Sequence, residues 1–91
     1  MAVTVRIPTT LRPLSAGAST VEVEAGTLSA VIANLDAAHQ GLGDRLLDED
    51  GNLRRFVNVF VDDDDVRYLD GLKTDVPDGR TVSIIPAVAG G

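Results

Sequence analysis

The sequence has no cysteine and no tryptophan, and these absences exclude several classes of function. Without cysteine there can be no disulfide framework, no thiolate metal ligand and no thiol nucleophile. The aromatic residues are only Phe56, Phe60 and Tyr68. They do not alternate with basic residues, so the sequence predicts no platform on which nucleic-acid bases could stack.

Basic residues are also scarce, because 14 acidic side chains outnumber 8 basic ones and the formal net charge is −6. An acidic surface repels phosphate backbones, so we predict no nucleic-acid partner. No apolar run approaches the ~18 residues of a membrane-spanning helix, and the N-terminus lacks the pattern of a signal peptide. We therefore expect a cytoplasmic protein that contacts no membrane, is a monomer when free and has proteins as its partners.

The residues that are present suit one small domain with an aliphatic core. Apolar residues make up 44% of the 91 residues, and a chain of this length can fold around one modest core. Val3-Thr4-Val5-Arg6-Ile7 and Thr20-Val21-Glu22-Val23-Glu24 alternate apolar and polar residues, which predicts two half-buried strands. Two such strands so close in sequence should pair as an antiparallel hairpin.

A helix is predicted after the hairpin, with Thr27 as its N-cap because the hydroxyl can accept a bond from a helix N–H. An apolar stripe with helical spacing follows Thr27 and consists of Leu28, Val31, Ile32 and Leu35. Gly41 and Gly43 should end this helix. The short polar stretch 43–52 should be turns, with Leu46 and Leu47 against the core.

The second half of the chain predicts further strands. Residues 55–61 are rich in β-branched and aromatic side chains, as strands are. Residues 62–65 should form a turn, 66–69 a short strand, and 81–85 a last strand that Pro86 ends.

This order of elements predicts an α+β fold, because a single helix cannot serve a doubly wound sheet. The economical arrangement is a β-grasp, ubiquitin-like domain: a mixed sheet of four to five strands with one main helix packed on one face. In it the last strand lies centrally beside the first, which would account for the apolar pair Ile84-Ile85. Residues 1–86 would form the domain and residues 87–91 a flexible Gly-Gly tail.

At this point the chain resembles the ubiquitin-like sulfur carrier proteins of the MoaD/ThiS class, in particular the CysO-type carriers of actinobacterial cysteine biosynthesis. The class includes the small subunit of molybdopterin synthase and the thiamine sulfur carrier. The resemblance covers essentially the whole chain. Four segments carry it: residues 3–13 (VTVRIPTTLRP), 55–61 (RFVNVFV), 64–67 (DDVR) and 84–91 (IIPAVAGG).

The resemblance implies that the C-terminal carboxylate of Gly91 is the reactive group. An E1-like adenylating enzyme would activate it with ATP, and a sulfur donor would convert it to a thiocarboxylate. Gly90, Ala89 and Val88 would thread the tail into the enzyme, where the glycines allow close approach to a phosphate. The chain would therefore be a cosubstrate and not an enzyme, and it would hold no cofactor of its own. Consistent with this, the sequence has no Gly-rich phosphate loop.

The resemblance also implies downstream partners. For a cysteine pathway these are a PLP-dependent cysteine synthase and a zinc metalloprotease that regenerates the tail. The alternatives are a carrier for molybdopterin, thiamine or another thio-metabolite, a protein modifier conjugated through Gly91, and an interaction domain whose Gly-Gly is incidental. The residues alone do not decide which pathway receives the sulfur, or which donor supplies it.

The other candidate residues are weaker. Phe56, Asn58 and Phe60 would form a docking patch if the alternate valines face the helix, and the reverse orientation is equally open on the pattern alone. Residues 62–65 and 48–52 lack the spacing of a calcium loop, so no metal site is predicted. His39 is expected to be a surface residue near the helix C-terminus. The arginines expected to be scattered surface charges that steer docking are Arg12, Arg54, Arg55 and Arg67.

Overall fold

The computed structural model describes residues 2–86, which form short strands, helical turns and one longer helix. The strands are β1 (Ala2–Arg6), β2 (Thr20–Glu24), β3 (Gly26–Thr27), β4 (Val57–Val61), β5 (Asp64–Asp65), β6 (Asp75–Val76) and β7 (Thr81–Pro86). The α-helices are α1 (Leu28–Ala38) and α2 (Leu42–Leu46), and the 3-10 helices are Thr9–Ser15, Val66–Tyr68 and Gly71–Lys73.

Five of these strands form one mixed sheet in the order β2-β1-β7-β4-β5. The β1–β2 hairpin is antiparallel, as predicted. The last strand, β7, runs parallel to β1 and antiparallel to β4 and lies at the centre of the sheet. With α1 as the main helix this is a β-grasp fold, which confirms the predicted architecture.

The core lies between α1 and one face of the sheet. The Oγ1 atom of Thr27 accepts a hydrogen bond of 3.2 Å from the N–H of Ala30, so the predicted N-cap is confirmed. All four residues of the predicted helical stripe are buried, as are the sheet residues that face them. The buried sheet residues are Val3, Val5, Val23, Val57, Val59, Val61, Val82 and Ile84, and Ile7, directly after β1, is buried with them. Within residues 2–86, no helix has the length and apolarity to cross a membrane.

The predicted turn region 43–52 is wrong in its first part, because residues 42–46 form the helix α2, whereas residues 49–52 are turns and bends. The carboxylate of Asp36 on α1 explains it: Oδ1 accepts hydrogen bonds from the N–H groups of Gly41 (3.0 Å) and Gly43 (2.9 Å). These bonds satisfy N–H groups at the start of α2, where a helix has no internal partners. Leu46 is buried and Leu47 packs against the core, as expected.

The elements around β4 also differ from the prediction. β4 begins at Val57 and not at residue 55, because the chain turns before it and the N–H of Val57 donates to the carbonyl of Arg54 (3.1 Å). Only part of the stretch 62–65 is a turn, since β5 pairs with β4. Residues 66–68 form a 3-10 helix and not a strand, because the Asp65 carboxylate accepts from the N–H of Arg67 and caps that helix.

Candidate functional site

The strand that leads to the predicted reactive tail is the central strand of the sheet. β7 includes Pro86 as its last residue, one residue beyond the predicted end, and residues 87–91 follow. Gly91, Gly90, Ala89 and Val88 lie outside the described residues, so their roles stay predictions. We call Ile85 and Pro86 the tail root, because the position of these two residues determines where the tail leaves the sheet.

The valines of β4 face the helix, which settles the orientation that the sequence left open. Val57, Val59 and Val61 are buried, while Asn58 and Phe60 are half-buried on the opposite face. No helix covers that face in the described part of the chain. Asn58 and Phe60 therefore lie where the docking hypothesis requires them.

Ile85 is a residue of this face that sequence reasoning missed. It lies opposite Asn58 in the β4–β7 register, and its exposed fraction is 49%. Opposite residues of an antiparallel pair project from the same face. The expectation that central placement would bury both isoleucines is wrong for Ile85, because the helix covers only one face; Ile84 is 4% exposed. The alternation along β7 was the signal that could have revealed it.

Phe56 lies beside this face but not on the strand. It belongs to the turn before β4, and 60% of its surface is exposed. The structure thus brings Asn58, Phe60 and Ile85 together, and we call these three residues the open-face patch. Phe56 precedes Val57, which lies opposite Pro86, so it is at the same end of the sheet as the tail root.

A groove of about 450 Å³ flanks the tail root on the β1 side. The arginines Arg6 and Arg12 line it together with Ser83, Ile85 and Pro86. Arg12 is not merely a surface charge, because its Nε donates to the carbonyl of Ile7 (3.3 Å). The tail therefore leaves an acidic chain beside a positively charged groove.

Two of the other arginines hold backbone segments in place. The Nε of Arg54 donates to the carbonyl of Asp44 (2.9 Å). Arg67 is exposed, as predicted, and it also donates to the backbone carbonyls of Arg54, Arg55 and Val57, which the sequence did not reveal. Neither partner could be read from the sequence, since Arg67 meets carbonyls 10 to 13 residues away.

The far end of β4 is held by Asp62, which has a left-handed backbone (φ 55°). Its Oδ1 accepts from the N–H of Thr81 (3.2 Å), and its Oδ2 pairs with the Nη1 of Arg80 (2.8 Å). The bond from the Thr81 N–H, followed by the Arg80 guanidinium, lowers the pKa of the Asp62 carboxyl below its usual value. These contacts join the β4–β5 turn to the start of β7.

The described residues offer no centre for metal chemistry. No group of three or more histidine, aspartate or glutamate side chains is placed to hold an ion in residues 2–86. His39 is the half-buried C-cap of α1, and its N–H donates to the carbonyl of Leu35 (2.9 Å). What the described site presents is a partly apolar face and a charged groove around the exit of the tail.

Comparison with known proteins places this arrangement in a family. The model of the ThiS family matches residues 5–91, which include the tail root and the tail. This chain belongs to the ThiS family. The match begins within β1 and continues to the last residue of the sequence, so the tail root, the open-face patch and the groove all lie inside it.

Relatives within this family have closely similar sequences and structures. A protein of Mycobacterium tuberculosis named sulfur carrier protein CysO is 50% identical over 93 residues, which cover 100% of both chains. Small archaeal modifier protein 3 of Haloferax volcanii is 43% identical over 65 residues, covering 71% of this chain and 70% of the relative. A crystal structure of the BexX/CysO complex of Amycolatopsis orientalis contains a chain that superposes with a TM-score of 0.93. That chain is 47% identical, and the match covers 99% of this chain and 100% of the other.

Proposed function

We propose that this chain is a sulfur carrier protein whose reactive group is the C-terminal carboxylate of Gly91. The observation that carries the proposal is the 50% identity to a sulfur carrier over the whole length of both chains. The fold supports it, because the central strand leads directly into the Gly-Gly tail. The open-face patch and the groove flank the point where that tail begins.

The chemistry requires activation by a partner, since a carboxylate resists attack by nucleophiles. An oxygen of the Gly91 carboxylate attacks the α-phosphorus of ATP on an E1-like enzyme, and pyrophosphate leaves. A sulfur nucleophile then attacks the carbonyl carbon of the acyl adenylate, AMP leaves, and a thiocarboxylate remains. The ATP site belongs to the partner. The carrier contributes its tail and a surface that docks beside it, so it acts as a cosubstrate in the cytoplasm and not as an enzyme.

The sulfur is destined for cysteine in this proposal, because the full-length relative is a CysO protein. A PLP-dependent cysteine synthase would join the thiocarboxylate sulfur to the β-carbon of a serine derivative whose β-substituent leaves, which would give a cysteinyl thioester on Gly91. Attack of the cysteine amine on the thioester carbonyl then gives an amide and a free thiol. Hydrolysis of this amide by a zinc metalloprotease releases cysteine and restores the Gly91 carboxylate. Both the PLP and the zinc belong to these partners.

A protein modifier is the second candidate function, and the similarity to a small archaeal modifier protein favours it. Both functions begin with the same acyl adenylate. They differ in the nucleophile that attacks it: a sulfur donor gives a carrier, and a lysine amine of a target protein gives a conjugate.

Intact-mass measurement separates these functions. The protein is incubated with ATP, a sulfur source and desalted host extract, beside a matched variant that lacks Gly90 and Gly91. A mass gain equal to replacement of one oxygen by sulfur, found only with the intact tail, is the expected result. Ladders of heavier conjugates without that gain would favour the modifier. No change in an extract shown to activate a known carrier would overturn both.

A further inference from the structure

The guanidinium of Arg67 reaches back across the outer edge of β4 to the segment that precedes this strand. Its Nη2 donates to the carbonyls of Arg54 (3.0 Å), Arg55 (3.2 Å) and Val57 (2.8 Å). Its Nη1 donates to Oδ1 of Asn58, a residue of the open-face patch. One side chain therefore contacts four of the five positions from 54 to 58. The exception is Phe56, whose ring is left exposed.

Of these carbonyls, that of Arg54 also accepts from the N–H of Val57, and that of Val57 lies on the outer edge of β4. β5 pairs only with Phe60 and Val61, so within the described residues no strand lies beside the first part of β4. A strand edge without a neighbour leaves backbone carbonyls unpaired. The planar guanidinium supplies several N–H donors in a fixed fork and can satisfy these carbonyls together, which the single ammonium of lysine cannot do with the same geometry.

The segment that Arg67 holds lies against the tail root. Val57 is opposite Pro86, the last described pair of the β4–β7 ladder. Proline has no N–H, so β7 offers no donor at this pair, and the carbonyl of Val57 accepts from Arg67. The N–H of Val57 donates to the carbonyl of Arg54. The start of the segment 54–57 is held by Arg54 itself, whose N–H donates to the carbonyl of Leu46, and the carbonyls along the segment are held by Arg67.

The backbone of Arg67 is itself held in a defined position. The preceding residue, Val66, is completely buried in the core. The N–H of Arg67 donates to Oδ1 of Asp65 (2.9 Å), and Asp65 is paired with Phe60 of β4. Because its backbone is fixed, the Arg67 side chain can hold the segment 54–57 in a defined position.

We propose that Arg67 is a positioning residue for activation of the tail. It fixes the segment 54–57 against Pro86 and thereby sets the direction in which the tail leaves the sheet, relative to the open-face patch. The inference rests on the proposed function, because the direction of the tail matters only if Gly91 must reach an active site while the patch is docked. Misplacement of a reacting group by about 1 Å can cost about a hundredfold in rate.

The test compares Arg67→Lys with a matched control, Arg80→Lys. Arg80 pairs with Asp62 at the opposite end of β4 and is remote from the tail root in the register. Thiocarboxylate formation by the E1-like enzyme is measured with the carrier as the varied substrate, below the melting temperature of every variant. We expect Arg67→Lys to lower kcat by about tenfold or more with a smaller change in KM. Arg80→Lys should keep the wild-type values of both.

Amide hydrogen exchange supplies a second readout. In Arg67→Lys we expect faster exchange at Phe56 and Val57, and in Arg80→Lys we expect no such change. If Arg67→Lys does not fold, Arg67→Gln, which keeps two N–H donors on an uncharged side chain, replaces it in both assays.

The outcomes separate this inference from the proposed function. If the wild type is converted to the thiocarboxylate and Arg67→Lys has the same kcat, the inference is overturned, since Arg67 would then only stabilise the fold. The proposed function as a sulfur carrier would still hold. A rise in KM alone would also overturn it, because Arg67 would then serve docking and not the direction of the tail. Absence of any conversion in the wild type would overturn the proposed function, and the inference with it.

Discussion

Replacing each of two adjacent isoleucines by threonine should separate docking from folding. Ile85 is 49% exposed at the tail root, whereas Ile84 is 4% exposed and faces the core. Threonine keeps the branched Cβ that suits a strand, so the backbone preference changes little. The two substitutions are chemically identical and differ only in the face of β7 that they alter.

The expected effect of Ile85→Thr follows from its exposed half. Complete burial of an isoleucine side chain stabilises by about 1.5–3 kcal/mol, so docking can gain at most about half of this at Ile85. Threonine keeps part of the apolar surface, which leaves a loss of about 1 kcal/mol, or about fivefold in KM or Kd for the activating enzyme. The melting temperature should stay close to that of the wild type, because Ile85 is 49% exposed and contributes little to the core.

Ile84→Thr should do the opposite. Shortening a buried isoleucine costs about 0.5–1.5 kcal/mol, and burying an unpaired hydroxyl adds about 1–3 kcal/mol. For a domain of this size each kcal/mol shifts Tm by about 4–8 °C, so we expect Tm to fall by roughly 6–36 °C. Below its lowered Tm, the variant should bind the enzyme as the wild type does.

The assays are thermal unfolding by circular dichroism and steady-state activation with the carrier as the varied substrate. Equal KM values for Ile85→Thr and the wild type would refute the assignment of the open face as a docking surface. A fall of Tm in Ile85→Thr as large as that in Ile84→Thr would show that the two faces of β7 are not distinct, and would refute the structural reasoning itself.

Three further substitutions test the tail, the helix start and the β4–β5 turn. Gly90→Ala should lower the rate of adenylation while Tm stays unchanged, because a Cβ hinders threading and the substitution alters none of the core residues described in residues 2–86; a lower Tm with normal adenylation would contradict this. Thr27→Ala should cost about 1 kcal/mol through loss of the N-cap, and Thr27→Ser, which keeps the hydroxyl, should restore most of it in urea unfolding. The pKa of the Asp62 carboxyl is lowered in the fold, so its stabilising effect is present above the unfolded pKa of about 3.9 and is lost as the pH falls through the lower folded pKa. The difference in Tm between the wild type and Asp62→Asn should therefore disappear on acidification below about pH 4, and a difference that stays constant from pH 7 to pH 2 would contradict the ion pair.

The elements that the sequence predicted correctly are those whose pattern is local. In β1, in β2 and in the stripe that follows Thr27, the residues that form the pattern lie within a few positions of one another. The pattern therefore indicates the buried face of each element directly. The central position of β7 was also predicted, from the order of the elements and the handedness of their connections.

The errors have a different origin, because most of them depend on specific hydrogen bonds, some between residues distant in sequence. The start of α2 is stabilised by Asp36 of the preceding helix, and the segment before β4 is held by Arg67. Periodicity contains no information about such contacts. Ile85 was misjudged for another reason: an apolar residue in a central strand is buried on both faces only if both faces are covered.

The tail itself remains a prediction from resemblance, since residues 87–91 lie outside the described part of the chain. Its chemistry depends on the partner that adenylates it, and no side chain of residues 2–86 could reveal that reaction. The structure contributes the surroundings of the tail root, which turn the prediction into measurable differences between variants.

The central position of β7 also determines when the sheet can form. During synthesis the β1–β2 hairpin and the β4–β5 pair emerge first, and β7, the strand that joins them, is made after all the others. Pairings between residues far apart in sequence form slowly and leave strand edges exposed meanwhile. A chain broken off before β7 therefore has two unjoined halves and no complete open face. A partner that recognises this face thus selects chains that were made at least as far as the tail root.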